Sequence, residues 1–503
     1  MNALPGSARS IPLGQLLEGV PGAASAVCVE GLAAAGEQVR PGWAFAACAG
    51  ERRHGLEFVD QALAAGAVAV LWEPGRGADA DSAAEACRRR GVPLVSVADL
   101  RRRLGVLAAR AFADPSCEAV AVHGVTGTDG KTSVSQFLAQ ALQAGGEPSG
   151  IVGTLGAGRV GRLAVGTHTT PDAASLQSSL AEFRDQGIRH ACIEVSSHGL
   201  VQGRVNGVRF RSAILTNLGR DHLDYHGTVR AYADAKRSLF RMPGLGVAVL
   251  NLDDGFGRSV RRDLEAGVRM VGYSMQAETD AGVLCTLFSP HVTGFGLEVI
   301  TPGGLVSAEL PLLGRFNAAN VLAVIAALTG LEWEPGRISA ALQHLAPVPG
   351  RMEPFVAKGQ PLVVVDYAHT PGALTAALAS LREHVGGRIW CVFGCGGERD
   401  RGKRPLMAGA AEAAAHRIIV TDDNPRLEDP DAIVADIQAG FRDGPQPVER
   451  DRSAAIARAL DEAGPDDVIL VAGKGHEDHQ LDAAGRREYS DRRTVARLLE
   501  GAS

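Results

Sequence analysis

The sequence predicts an α/β protein built from three domains, and three observations carry that prediction. Short apolar runs alternate with helix-patterned stretches along nearly the whole chain, as in parallel sheets covered by helices. The 503 residues are enough for several cores, since one domain typically takes about 100–200. Two seams interrupt the alternation. A helical segment at 98–117, "ADLRRRLGVLAARAFADPSC", leads into a fresh strand, and the Pro/Gly-rich stretch at 346–354, "APVPGRMEP", is soon followed by another. The expected domains are therefore 1–100, 101–347 and 348–503.

The strands can be taken in order. The first expected domain carries "AVAVLWE" (67–73) and "PLVSV" (93–97). The second carries "AVAVHGV" (119–125), "HACIEVSS" (190–197), "SAILTNL" (212–218) and "GVAVLNLD" (246–253). The third carries "PLVVVDYA" (361–368), "RIWCVFG" (388–394), "HRIIVTDD" (416–423) and "DVILVAG" (467–473). Region 281–313 departs from the pattern. It alternates residue by residue between turn signals, so an antiparallel excursion is expected there.

Composition narrows the function classes. The net charge of −6 offers no global basic field, so no nucleic-acid partner is expected. No apolar run is long enough to span a bilayer. The N-terminal stretch lacks the basic start and continuous apolar core of a secretory signal, so the expected compartment is the cytoplasm. The eight cysteines show no CxxC spacing and are read as reduced thiols.

The richest stretch is "GVTGTDGKTS", 124–133, between a strand and a helix. Gly127 and Gly130 permit a tight turn with amides pointing inward, and Lys131 brings a mobile positive charge. Thr132 offers a hydroxyl suited to Mg²⁺ and opens a helix whose positive dipole end faces the turn. Five residues, not four, separate Gly124 from Gly130, so this is a variant P-loop. Asp129 should point its carboxylate away from bound phosphate. Hard oxygen ligands are expected at later strand ends. Glu194 follows an apolar strand and suits Mg²⁺. "TNLGRDHLDYHGT" (216–228) follows another and sets His222 and His226 around Asp224, where open α/β sheets bind ligands. Lys236, in "YADAKRSLF", reads from its residues alone as an ordinary helix-surface lysine. "DNPR" (423–426) reads alone as a turn with a surface arginine.

The segments "GVTGTDGKTS", "TTPDA", "EVSSHGLVQGR", "TNLGRDHLDYHG…YADAK", "GRFNAANVLA", "PGRME", "VDYAHTP", "GCGGERDRGKRP", "TDDNPR" and "AGKGHEDHQ" stand in the order found in the Mur ligases. From about residue 119 to 480 the chain resembles that family, and most closely its diaminopimelate-adding branch. The resemblance implies an N-terminal α/β domain that grips a uridine nucleotide, a central P-loop ATPase and a C-terminal Rossmann-like domain for the incoming amino acid. The implied reaction is ATP-dependent amide formation: a carboxylate of UDP-MurNAc-L-Ala-D-Glu becomes an acyl phosphate, which the amine of meso-diaminopimelate then attacks. These small molecules are the implied partners, bound by a monomer.

Residue roles follow from the same resemblance. Gly127, Thr128, Asp129, Gly130, Lys131, Thr132 and Ser133 would cradle ATP, with Asn320 and Arg351 touching it and Asp366 on its ribose. Lys131, Glu194, His222 and Lys236 would be catalytic. Thr132 and Glu194 would serve one Mg²⁺. His222 and Lys236 would serve a second, the lysine carrying a carbamate made from CO₂ (N6-carboxylysine). Thr169, Thr170, Ser196, Gln202 and Arg204 would hold the muramoyl dipeptide. Arg399, Asp423, Asn424, Pro425, Arg426, Gly473 and Glu477 would hold diaminopimelate. Arg426 would pair with its distal carboxylate, which lysine lacks.

The chain also departs from the family. Ala35, Gly36 and Glu37 stand where Asp-Ser-Arg is usual, His54-Gly55 where Asp-Gly is frequent, Asp129 where Asn is commoner and Arg401 where Lys is. Rival readings are a lysine-adding sister ligase, a folylpolyglutamate synthetase and, from another class, a dinucleotide-binding oxidoreductase suggested by "GCGG" at 394–397. The glycine spacing there misfits the dinucleotide fingerprint.

Overall fold

The computed structural model describes residues 10–18, 26–50, 53–75, 77–166, 168–276 and 280–501. The N-terminal stretch read above for a signal falls partly outside them. The chain forms two compact units: one runs up to Tyr273 and includes Ala323–Trp333, and the other holds Val283–Leu322 and the chain from Glu334 on.

The first unit opens on a four-stranded parallel sheet, Gly31–Ala33, Trp43–Ala47, Ala69–Trp72 and Leu94–Ser96 in that order. Alternate strand residues serve its two faces. Leu32, Ala44 and Leu71 enter one apolar cluster, and Phe45 and Val70 enter the other. His54 caps the short helix Gly55–Phe58: its Nδ1 accepts the Leu56 amide at 3.1 Å and its Nε2 donates to the Glu73 carbonyl at 2.9 Å. The imidazole thus supplies the N-cap acceptor that Ser, Thr, Asn or Asp usually provides.

The unit's larger sheet places Ala121–Thr126 between His190–Glu194 and Phe210–Leu215, all parallel. Ser149–Gly153 lies beyond His190–Glu194 and opens an antiparallel hairpin. Val247–Asn251 and then Arg269–Ser274 lie on the other side. Glu194 is in register with Val125, so the glutamate sits at the carboxyl end of its strand beside the start of the glycine loop. Parallel register is what brings residues seventy positions apart to one edge.

In the second unit, Val283–His291, Gly294–Thr301 and Gly304–Leu310 form the antiparallel ladder the alternation predicts. A five-stranded sheet follows in the order Glu353–Phe355, Leu362–Asp366, Val468–Ala472, Ile389–Phe393, Arg417–Val420, parallel except for its first member. Leu362 and Val364 pack into one helix-covered core, Val363 and Val365 into the other. This is the doubly wound layer expected of unbroken apolar strands.

Candidate active site

The glycine loop joins Ala121–Thr126 to the helix Lys131–Ala144. Gly130, at φ 81°, is the helix N-cap, and Gly127 has φ 154°. A Cβ at Gly127 would fall 1.8 Å from Thr216 Oγ1, so only glycine lets the loop close on its neighbour. That neighbour holds the loop in shape. The Thr216 hydroxyl donates to the Asp129 carbonyl at 2.5 Å, the Asp129 amide donates to Asn217 Oδ1 at 3.0 Å, and the Thr128 amide donates to the Asn217 carbonyl at 3.0 Å. Asp129 itself is exposed, as its charge requires. Lys131 Nζ folds back on the Gly127 and Thr128 carbonyls, 2.9 and 2.8 Å away.

Below the loop, Glu194 is 1% exposed. Its Oε2 accepts from the Thr132 hydroxyl at 2.9 Å and from the Thr154 hydroxyl at 3.0 Å, and its Oε1 accepts the Thr154 amide at 2.8 Å. Among the described residues no group of three His, Cys, Asp or Glu side chains could hold a metal. A hydroxyl and a single carboxylate under an anion loop still fit Mg²⁺, which keeps water and takes substrate phosphate oxygens as its remaining ligands.

Lys236 is not a surface lysine. It lies on the amphipathic helix Val229–Arg237 and is 1% exposed. Its Nζ donates to the Gly127 carbonyl at 2.6 Å and stands 4.4 Å from the Tyr232 ring centroid. Burial, reinforced by the nearby Lys131 charge, pulls the amine down to about 6. The residue-level expectation fails because spacing on a helix does not say which face is buried. Tyr232, which sequence reasoning missed, is buried, shares the Thr128 hydroxyl at 3.1 Å and has its phenol pushed up to about 12 by burial. His222 is exposed, with a left-handed φ of 52°. Its ring meets His198 edge-on at 4.8 Å and lies 6.2 Å from Tyr232.

The residues expected to hold the muramoyl dipeptide come together. The Thr170 hydroxyl donates to the Glu194 carbonyl at 2.8 Å and accepts the Ser196 amide at 3.0 Å. Arg204 donates to the Thr170 carbonyl at 2.6 Å and to Gln202 Oε1 at 2.8 Å. The Thr169 hydroxyl lies 3.1 Å from that of Thr154. Thr154 was invisible in the sequence, being a lone threonine in a turn.

In the second unit, Asp366 ends its strand and accepts the Met352 and Ala368 amides at 2.7 and 2.8 Å. Arg351 lies over the Tyr367 ring at 4.5 Å. Asn320 is buried and donates to Asn317 Oδ1 at 3.1 Å. Asp423, Asn424 and Pro425 are buried, while Arg426 is half-buried and donates from Nη1 to the Gly397 carbonyl at 2.6 Å. Asn424 Nδ2 reaches Glu477 Oε2 at 2.9 Å. Gly473, at φ 115°, lies against Asp423, and Arg399 is exposed beside Gly396. Arg426 and Glu398 hold φ of 58° and 54°. Such left-handed backbone in non-glycine residues costs about 1–2 kcal/mol each.

Three family profiles match the chain: "Mur ligase family, catalytic domain" over 29–112, "Mur ligase middle domain" over 125–328 and "Mur ligase, glutamate ligase domain" over 350–475. A UDP-N-acetylmuramoyl-L-alanyl-D-glutamate--2,6-diaminopimelate ligase of Alkalilimnicola ehrlichii is 54% identical, covering 94% of this chain and 96% of its own. The enzyme of the same name from Xanthomonas campestris pv. campestris is 48% identical over 98% of each. A solved structure of a ligase of that name superposes with a TM-score of 0.72 at 33% identity, over 98% of this chain and 99% of its own. With full-length likeness at that identity and a phosphate cradle matched by a buried Glu194, the chain belongs to the Mur ligase family of ATP-dependent, amide-bond-forming enzymes.

Proposed function

We propose that the protein adds meso-2,6-diaminopimelate to the D-glutamate of UDP-MurNAc-L-Ala-D-Glu, using ATP, as a cytoplasmic monomer in peptidoglycan precursor synthesis. The relatives of that name support the reading. Among the residues, Arg426 carries it: a half-buried guanidinium on a left-handed turn, its Nη1 on the Gly397 carbonyl, in the same segment as Asp423 and Asn424. Diaminopimelate brings a distal carboxylate for that guanidinium and a distal ammonium for Glu477. Lysine would bring only the ammonium.

The chemistry follows from charge. A carboxylate resists nucleophiles because it is already anionic and has no good leaving group. Transfer of the γ-phosphoryl group to a D-glutamate oxygen, with ADP leaving, removes both obstacles. Lys131 and the loop amides neutralise the transferring group, and Thr132 with Glu194 would hold Mg²⁺, which supplies further positive charge at the phosphates. The diaminopimelate amine then attacks the acyl carbon, loses a proton, and inorganic phosphate departs. Thr170, Ser196 and Arg204 would orient the dipeptide carboxylate.

Lys236 would carry a carbamate and, with His222, serve a second Mg²⁺. Its lowered pKa supports this part, because CO₂ adds only to a neutral amine. Asn320 and Arg351 would contact ATP and Asp366 its ribose.

The test is product formation with ATP, UDP-MurNAc-L-Ala-D-Glu and each candidate amino acid, followed by mass spectrometry. Tripeptide with meso-diaminopimelate and almost none with L-lysine is expected. Equal yields, or yield with L-lysine alone, would refute the substrate assignment.

A further inference from the structure

Lys474 belongs to no role assigned above, yet it is fully buried. It follows Gly473 (φ 115°) and precedes Gly475 (φ 50°), whose Cβ would fall 2.6 Å from the Gly350 carbonyl oxygen and 2.7 Å from Tyr367 Cβ. Two left-handed residues thus bend the backbone around this lysine. Its Nζ meets Glu477 Oε2 at 3.0 Å, Asn424 Oδ1 at 2.9 Å and Asp423 Oδ1 at 3.4 Å, one acceptor for each N–H of an ammonium. Asn424 in turn donates to the same Glu477 oxygen at 2.9 Å, and its Oδ1 also accepts the Leu481 amide at 3.0 Å.

Every side chain that Lys474 grips is one read above as an amino-acid contact. Glu477 Oε2 is fully used by Lys474 and Asn424, which turns the carboxylate so that Oε1 remains for a ligand. Burial alone would raise the Glu477 carboxyl, but Lys474 and Asn424 hold it below its ordinary value. The charges also have a sign. Asp423 and Glu477 bring two negative charges, and Arg399, Arg426 and Lys474 bring three positive ones. Diaminopimelate, with two ammonium and two carboxylate groups, has no net charge, whereas lysine carries one positive charge.

We propose that Lys474 is a positioning residue that orients Asp423, Asn424 and Glu477 and tips the pocket's charge toward a neutral, double-headed amino acid and against a cationic one. The inference rests on the reading of 423–426, 473 and 477 as the amino-acid site. A lysine that merely stabilised the fold would not discriminate between two amino acids of similar length.

The test uses full-length Lys474→Met and Lys474→Gln, the second keeping donors but not charge. Steady-state rates are measured with meso-diaminopimelate and L-lysine, alongside KM for ATP and thermal unfolding. The expected result is a KM for diaminopimelate raised about tenfold or more, because charged hydrogen bonds to two ligand residues are lost. The diaminopimelate-to-lysine ratio of kcat/KM should fall by a similar factor in both variants, with KM for ATP within about twofold of wild type. Folded variants with unchanged KM and unchanged ratio would overturn the inference while leaving the wild-type preference, and so the substrate reading, in place. Failure of both variants to fold would assign Lys474 to the scaffold and also overturn it. Wild-type protein that turns over neither amino acid would sink the substrate reading and this inference together.

Discussion

Lys131 and Lys236 donate to one and the same oxygen, the carbonyl of Gly127, at 2.9 and 2.6 Å. Two ammonium groups there would repel each other. Lys236, enclosed by Tyr232 and the loop, is the one whose proton is held weakly, at about 6. The unfolded chain binds that proton up to about pH 10.4. Between these values the unfolded state carries the proton and the folded state does not, so stability rises with pH across this window and this contribution levels off below about 6. Urea unfolding in CO₂-free buffer at about pH 6.5 and 8.5 should show wild type gaining about 2–3 kcal/mol more than Lys236→Met. Parallel profiles would contradict the buried-amine account.

Supplying CO₂ above pH 6 should then act on wild type alone. A carbamate, formed with release of one proton, would convert a buried neutral amine into an anionic oxygen donor, raising turnover in wild type and leaving Lys236→Met unaffected. Intact-protein mass spectrometry under mild conditions, or a ¹³C signal from labelled CO₂, reads the adduct directly. Equal CO₂ responses in the two proteins would remove the carbamate.

Gly153 tests the Glu194 seat by size alone. A Cβ there would fall 2.1 Å from Glu194 Oε1. Gly153→Ala should displace the carboxylate, destabilise the protein by about 1–3 kcal/mol and raise the Mg²⁺ concentration needed for half-maximal rate. Glu194→Gln keeps the shape and removes the charge, so its loss, at least about 100-fold in kcat, should come without the melting shift. Thermal unfolding and Mg²⁺ titrations separate the two.

Arg426 offers a second separation. Arg426→Gly suits the left-handed backbone, which costs an ordinary residue about 1–2 kcal/mol, so folding should survive. Discrimination of diaminopimelate from L-lysine should nevertheless collapse by about 10- to 100-fold, the worth of a charge-assisted bidentate contact. Arg426→Lys should not restore it. Unchanged kcat/KM ratios would refute the role.

The buried pair Arg452–Asp491 anchors the second unit. Both residues are fully buried, with Nε and Nη2 2.7 and 2.8 Å from the carboxylate, and Nη2 also donates to the Ala472 carbonyl just before Gly473. Removing one partner strands a buried charge, so Asp491→Ala should cost about 3–5 kcal/mol, visible as a lowered melting temperature.

What could be read from the chain and what could not divides by range. The glycine loop, Lys131 and Thr132 form a local device, and Glu194 ends an apolar run, so both were legible as chemistry. Lys236 was not, because the helix pattern of "YADAK" leaves open which face meets the loop more than a hundred residues earlier. Thr216, Asn217 and Tyr232 brace that loop only after parallel strands bring them alongside. Thr154 is a single residue in a turn, and nothing adjacent to it in sequence announces Glu194 as a partner. Lys474 stands three residues from Glu477, but its contacts with Asp423 and Asn424, 51 and 50 residues earlier, are set by tertiary packing. The antiparallel ladder was legible from its residue-by-residue alternation, which is a local signal.

The central claim is that this site activates a carboxylate by moving a phosphoryl group onto it. Substrate carrying ¹⁸O in the D-glutamate carboxylates tests it most directly. One labelled oxygen per turnover should appear in the inorganic phosphate released with meso-diaminopimelate. Unlabelled phosphate, with the label kept in the peptide, would contradict the account.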